Sequence, residues 1–235
     1  MAFKIAELVK KGIAGYEEHG PAIVAVLGDS VSHGCLSGNM HYDTVYHNRL
    51  RMMINTRYED FPVCIINSAM SGATVWYALQ HFERDCAPHH PDLCIVCFGL
   101  NDVNFELETY RTNLGTLFDK ISGIGSECVF LTPNMLCTRE AEIIPNENDR
   151  PYAGVCAGFQ NSGRMDEFMD AARQVAKEHG VAVADCYAKW KELEKSGADI
   201  TSLLANRVNH PTREMHEMFA EELYTTIFGE KYEIQ

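Results

Sequence analysis

The stretch AIVAVLGDSVSHG, residues 22–34, changes character at its midpoint. Six apolar residues, Ala22 to Leu27, have the length and composition of a buried strand, and Gly28-Asp29-Ser30 then opens a polar loop. Gly, Asp and Ser are ordinary turn residues, so the tripeptide alone reads as a strand end. A second reading, a serine nucleophile presented from a strand end, requires partner residues at corresponding places elsewhere in the chain.

The strand-then-loop pattern recurs. PVCIIN (Pro62 to Asn67), Leu93 to Phe98, Cys128 to Leu131 and Val181 to Asp185 are further short apolar runs. Helical spacing fills the intervals. Ile5, Leu8, Val9 and Ile13 predict a short amphipathic helix before the first strand. Asp43 is placed as the cap of a helix whose buried stripe is Tyr46, Leu50, Met53 and the aliphatic stem of Arg57. Val75, Ala78, Leu79 and Phe82 mark the next helix, and Leu107, Tyr110, Leu114, Leu117, Phe118 and Ile121 a longer one ended by Gly123 and Gly125. Ser162 is expected to cap a helix carrying Met165, Phe168, Met169, Ala172, Val175 and Ala176. A last helix starts at about Pro211, with Met215, Met218, Phe219, Leu223 and Ile227 as its stripe.

Five apolar strands alternating with helices predict one α/β domain over residues 1–235, with a five-stranded parallel sheet covered on both faces: a three-layer α/β/α sandwich. No repeat or linker divides it. Pro133 to Asn161 exceeds the usual connection of about 4–6 residues, and segments of that kind are commonly functional. Its Arg139, Arg150 and Tyr152, with Asn134, are expected to wall the substrate pocket.

The formal net charge of −13 disfavours nucleic acid and anionic membrane surfaces as partners. No apolar run approaches the roughly 20 residues of a membrane span. The first twenty residues interleave Lys and Glu with apolar side chains and lack a signal-peptide core. The nine cysteines then read as reduced residues of a cytoplasmic protein. Cys94 and Cys97 have Cys-x-x-Cys spacing, yet on a strand residues three apart face opposite ways, so joint metal ligation is not expected.

In open parallel sheets ligands bind beyond the carboxyl ends of the strands. There the chain places Ser30 after the first strand, Gly72 in NSAMSGAT after the second, and Asn101 in GLNDVN after the third. His210, in NRVNHP, stands just ahead of the last helix. These residue types are complementary for acyl transfer. A serine oxygen needs a base, and imidazole titrates near neutrality. The backbone N–H groups of Ser30 and Gly72 and the Asn101 amide are candidate donors to a tetrahedral oxyanion. Singly each residue is an ordinary turn element; jointly they supply different roles at one rim.

At this point the chain resembles the SGNH/GDSL hydrolase family, over most of its length. The family's Gly-Asp-Ser block puts the nucleophile on Ser30, its glycine block falls on Gly72, its Gly-x-Asn-Asp block reads Gly99-Leu100-Asn101-Asp102, and its histidine lands on His210. The resemblance implies a flavodoxin-like sandwich and an ester hydrolase that uses no cofactor or metal and acts on a small-molecule ester. It also exposes a departure. Family members commonly carry Asp three residues before the histidine, and here that position is Arg207, which cannot accept a hydrogen bond. Asn206, Asn209, Asp199 or a backbone carbonyl is left to orient the imidazole, and a main-chain carbonyl or an asparagine oxygen from the NRVN segment, giving a Ser–His dyad, is the favoured expectation. Polar residues on the rim favour an acetylated carbohydrate as substrate, with thioester or lysophospholipid hydrolysis as the alternative. A flavodoxin-like module cradling phosphate on Ser30, Ser32 and Gly34 is the competing non-catalytic reading. A metallohydrolase and an α/β-hydrolase elbow fit less well, the latter because Gly28-Asp29-Ser30-Val31-Ser32 lacks the second glycine.

Overall fold

The computed structural model describes residues 3–58 and 61–233. In chain order the elements are α1 (Lys4–Lys10), α2 (Ile13–His19), β1 (Ala22–Gly28), α3 (Ser30–His33), α4 (Tyr46–Arg57), β2 (Val63–Asn67), α5 (Val75–Asp85), β3 (Leu93–Cys97), α6 (Leu107–Gly123), β4 (Glu127–Leu131), α7 (Arg150–Asn161), α8 (Arg164–Glu178), β5 (Ala182–Ala184), α9 (Cys186–Lys195) and α10 (Met215–Phe228). All strand pairs are parallel, in the order β2-β1-β3-β4-β5.

Alternation along the strands divides the core in two. Ala25 and Leu27 of β1, Cys94 and Val96 of β3 and Phe130 of β4 pack with α5, α6 and α8. Val24 and Val26, Leu93, Ile95 and Cys97, and Val129 and Leu131 pack with α1, α4 and α10. This is the expected three-layer sandwich, and Cys94 and Cys97 lie in different layers. At the β1 terminus Gly28 is required by space. A Cβ there would stand 2.2 Å from Ser32 Oγ and 3.0 Å from the Cys97 carbonyl. Among the described residues no helix is long and apolar enough to cross a membrane.

Local expectations are corrected at several points. The apolar stripe of residues 5–13 is two helices, because Gly12 takes φ 58 between them and leaves Ile13 exposed. Asp43 does not cap α4: Val45 holds the N-cap position, Asp43 offers only its carbonyl to Asn48, and Arg57 is exposed. Ser162 ends α7, and Gly163, at φ 82, begins α8.

The largest correction concerns Pro133 to Asn161. Its second half is α7, which turns Ala153, Ala157 and Gln160 inward at i, i+4 and i+7. Gln160 Oε1 accepts the Leu136 N–H at 2.9 Å, and its Nε2 donates to the Tyr187 hydroxyl at 2.8 Å. The segment is therefore built into the core, and shortening it would expose that core rather than trim a surface excursion. Gln160→Ala leaves the buried Leu136 N–H without its acceptor, and is expected to destabilise the fold by about 1–3 kcal/mol in urea unfolding. An unchanged midpoint would show that α7 is held by other contacts.

Candidate active site

The β1 end converts directly into helix. Asp29, fully buried, accepts the Val31 N–H on Oδ1 at 2.9 Å, capping α3 and putting Ser30 on its first turn. Ser30 is nearly buried and directs its Oγ to His210 Nε2 at 2.8 Å, closing a contact across 180 residues of sequence. Neighbouring Ser32 turns the other way. It is fully buried and shares a hydrogen bond with Tyr46 at 2.8 Å, so it cannot join Ser30 and Gly34 in a phosphate cradle.

The remaining imidazole nitrogen decides the tautomer. His210 Nδ1 lies 2.7 Å from the carbonyl oxygen of Leu36, which can only accept, so Nδ1 carries the proton and Nε2 presents a lone pair to Ser30. Leu36 is delivered by a small hairpin directly after α3, in which Cys35 pairs with Met40 and the Leu36 N–H donates to the Asn39 carbonyl. The third partner is thus a backbone carbonyl, but from the nucleophile's own loop and not from the NRVN segment, and none of the side chains considered from sequence provides it. Asp199 is engaged elsewhere, in an ion pair with Arg139 at 2.5 Å. Arg207 points its guanidinium at the Ser202 and Leu204 carbonyls. Burial holds the His210 pKa below the usual imidazole value, opposed by the Leu36 carbonyl and the charge of Asp149.

His210 is carried by a pinned loop. Leu204 pairs with Pro211, the Ala205 N–H donates to the His210 carbonyl at 2.7 Å, and the buried Asn134 donates to the Asn209 carbonyl at 2.8 Å. Asn134 is therefore a brace under this loop and not a wall of the substrate cleft.

Two further loops meet Ser30. Asp102 Oδ1 accepts the Val75 N–H at 3.0 Å, and Asn101 Nδ2 donates to the Ala73 carbonyl at 3.0 Å, so the loops after β2 and β3 are tied together. One Asn101 amide proton remains for another acceptor. Gly72 takes φ 79, a left-handed conformation that other residues rarely adopt. The N–H groups of Ser30 and Gly72 donate to no acceptor among the described residues. Beneath these loops Asp29 and Asp102 each keep one buried carboxylate oxygen without a partner among the described residues. Burial pushes Asp29 up to about 7, with the charge of Asp102 adding to the rise, and Asp102 up to about 6.

Gly72, Asn101 and Asn209 border a cleft of about 690 Å³ beside the Ser30–His210 pair. Of the residues expected on its wall, only Tyr152 lines it. Arg139 is held by Asp199, and Arg150 by Glu147 at 2.5 Å. The other walls come from positions not singled out in the sequence: Trp76, Tyr77 and His81 of α5, and Phe105 after β3. Trp76 and Phe105 are more than half exposed, which is unusual for large apolar rings outside a binding surface. Among the described residues no group of three or more His, Cys, Asp or Glu is arranged around a possible metal position.

The profile of the GDSL-like lipase/acylhydrolase family matches residues 26–218. No curated protein matches the sequence. Among solved structures, Axe2, an acetylxylan esterase from Geobacillus stearothermophilus, superposes with a TM-score of 0.68 at 20% identity, over 88% of this chain and 94% of that one. A mutant of Axe2, described as an acetyl-xylooligosaccharide esterase, gives 0.71 at 19% identity over 91% and 97%. LAE5, an α/β hydrolase from the metagenome of Lake Arreo, Spain, gives 0.68 at 19% identity over 88% and 94%. At these identities the structures establish a shared fold.

A base must be unprotonated to act, and the His210 pKa is lowered below its usual 6.5. Ester hydrolysis followed as kcat/KM is therefore expected to be lost as His210 protonates below pH 6.5. Asp199→Ala should leave that profile unmoved and His210→Ala should remove most activity; a large loss in the Asp199 variant would place a carboxylate back in the relay.

Proposed function

The chain belongs to the GDSL-like lipase/acylhydrolase family, and on that premise we propose that this carboxylic ester hydrolase works through an acyl-enzyme on Ser30, with His210 as its base, on an acetylated carbohydrate. The observation that carries the catalytic part is the chain Leu36 O, His210 Nδ1–H, His210 Nε2, Ser30 Oγ, with both contacts under 3 Å.

The steps follow from the atoms. His210 Nε2 takes the Ser30 proton as Oγ attacks the ester carbonyl. The oxyanion is received by the Ser30 and Gly72 N–H groups and the spare Asn101 proton, donors held in place before the reaction begins. The Leu36 carbonyl accepts from the imidazolium that forms. His210 then returns the proton to the departing alcohol, and water repeats the sequence on the acyl-enzyme.

Substrate choice rests on the cleft beside this chain. Trp76, Phe105 and Tyr152 offer flat ring faces, and Asn104, Gln80 and His81 offer polar edges. His81 is fixed with Nδ1–H donating to the Tyr77 carbonyl at 2.8 Å, which leaves Nε2 to accept from a hydroxyl. Ring faces flanked by such groups suit a sugar better than an alkyl chain, whose pocket would be apolar throughout. Structural likeness to an acetylxylan esterase supports the same reading. Nine free cysteines are consistent with a reducing, cytoplasmic setting.

Ser30→Ala should fold and hydrolyse no ester, and a fluorophosphonate should label the wild type at Ser30 alone; labelling elsewhere sinks the nucleophile. Asn101→Ala should lower kcat by about 10²–10³ with KM little changed, since its donor acts mainly in the transition state. Across p-nitrophenyl esters from acetyl to decanoyl, followed by acetylated sugars, activity should be greatest on acetyl esters. Trp76→Ala should raise KM for an acetylated oligosaccharide while sparing p-nitrophenyl acetate. A preference for long acyl chains would favour a thioesterase or lysophospholipase.

A further inference from the structure

Asn206 is buried, with 1% of its surface exposed, and sits four residues before His210. Its Oδ1 accepts three backbone N–H groups: Val208 at 3.1 Å, Asn209 at 3.0 Å and His210 at 2.9 Å. Its Nδ2 donates to Asn209 Oδ1 at 2.9 Å and also lies 3.3 Å from His210 Nδ1. That last contact joins two donors, because Nδ1 already carries the proton taken by Leu36. The amide therefore does two things of opposite sense. Its oxygen fixes the backbone that carries the base, and its NH₂ group turns positive charge toward an imidazole that must become positive during the reaction.

An oxygen accepting three backbone N–H groups is a setting that holds a carboxylate ionised. Arg207 cannot supply one. It takes φ 64, and its guanidinium is spent on the Ser202 and Leu204 carbonyls. We propose that Asn206 is the positioning residue of His210, and that the 206–210 loop is a preformed seat for the acidic member of a Ser–His–Asp triad, occupied in this protein by a neutral amide. The proposal rests on the reading of Ser30 and His210 as nucleophile and base.

The ionisable groups that bear on His210 from neighbouring elements are Asp149, just before α7, whose charge favours the imidazolium, and His216 of α10, which burial pushes down to about 3 and so keeps neutral. On the hairpin, Cys35 is raised by burial and stays a thiol. All three persist in the test variants.

The test uses Asn206→Asp and Asn206→Ala in the full chain. Asn206→Asp keeps the three-fold acceptor and brings a carboxylate oxygen to the Nδ1–H. It should raise the His210 pKa by about one unit or more, since an opposite charge within hydrogen-bond range shifts a titration by roughly that amount. The shift is read by NMR of the imidazole in a Ser30→Ala background, and the acidic limb of kcat/KM should move up with it in the active enzyme. Asn206→Ala should lower kcat by roughly 10–100-fold with KM little changed, as displacement of a catalytic group does. If the alanine variant does not fold, Asn206→Ser, which retains one acceptor oxygen, is used for the same reading. An unmoved His210 titration in Asn206→Asp overturns the seat, and wild-type kcat in the alanine or serine variant overturns the positioning role. Failure of the underlying dyad shows separately, as full activity in Ser30→Ala or His210→Ala.

Discussion

A backbone carbonyl can only accept, so the 2.7 Å contact from Leu36 to His210 Nδ1 puts the imidazole proton on one nitrogen and leaves the other bare toward Ser30. The surrounding structure serves to hold those three groups in line. β1 lies inside the sheet between β2 and β3, and Gly28 allows its end to pass close to β3 before α3 begins. The hairpin returns Leu36 to the nucleophile six residues after it leaves. The histidine arrives from the far end of the chain on a loop pinned to the segment after β4 through Asn134 and the Cys137 N–H. A neutral carbonyl fixes the tautomer of an imidazole, but it offers a dipole, not a charge, to the imidazolium.

The donor side is assembled on a different principle. Asp29 and Asp102 sit at the starts of α3 and α5, where backbone N–H groups and the helix dipole welcome an anion. Asp29 caps the helix that carries Ser30, and Asp102 links the loop bearing Asn101 to the helix behind Gly72. Burial lifts both, with the charge of Asp102 adding to the rise at Asp29, and these carboxyls act mainly as hydrogen-bond fixtures.

Much of this was legible in the sequence because it is written in side-chain type. Strand runs such as LCIVCF and stripes such as Leu114, Phe118 and Ile121 declare layers, and the Ser, Gly and Asn after successive strands, with the His ahead of the last helix, declare roles. What stayed hidden is written in backbone. Every residue has a carbonyl, so nothing marks Leu36 as the acceptor. α7 contains Pro151, Gly154 and Gly158, residue types that weaken a helical pattern in sequence. Pro is harmless in a first turn, and a side chain at Gly154 would press on Glu140 at 3.0 Å. Arg139 and Arg150 belong to the long polar segment expected to wall the cleft, but salt bridges with Asp199 and Glu147 hold them elsewhere.

A side-chain acid can be deleted by a single codon change; the Leu36 carbonyl cannot. Any residue that packs there and keeps the N–H given to Asn39 would still present that oxygen, so the base does not depend on one acidic side chain. Its vulnerability lies in hairpin shape instead. Gly34 and Gly38 turn the chain at φ 100 and 84, and there an ordinary residue would displace an acceptor it never replaces. In a chain of this kind, harmful variants would gather at bland glycines, while position 36, whose side chain is buried, would be held to apolar residues by packing and not by its catalytic oxygen.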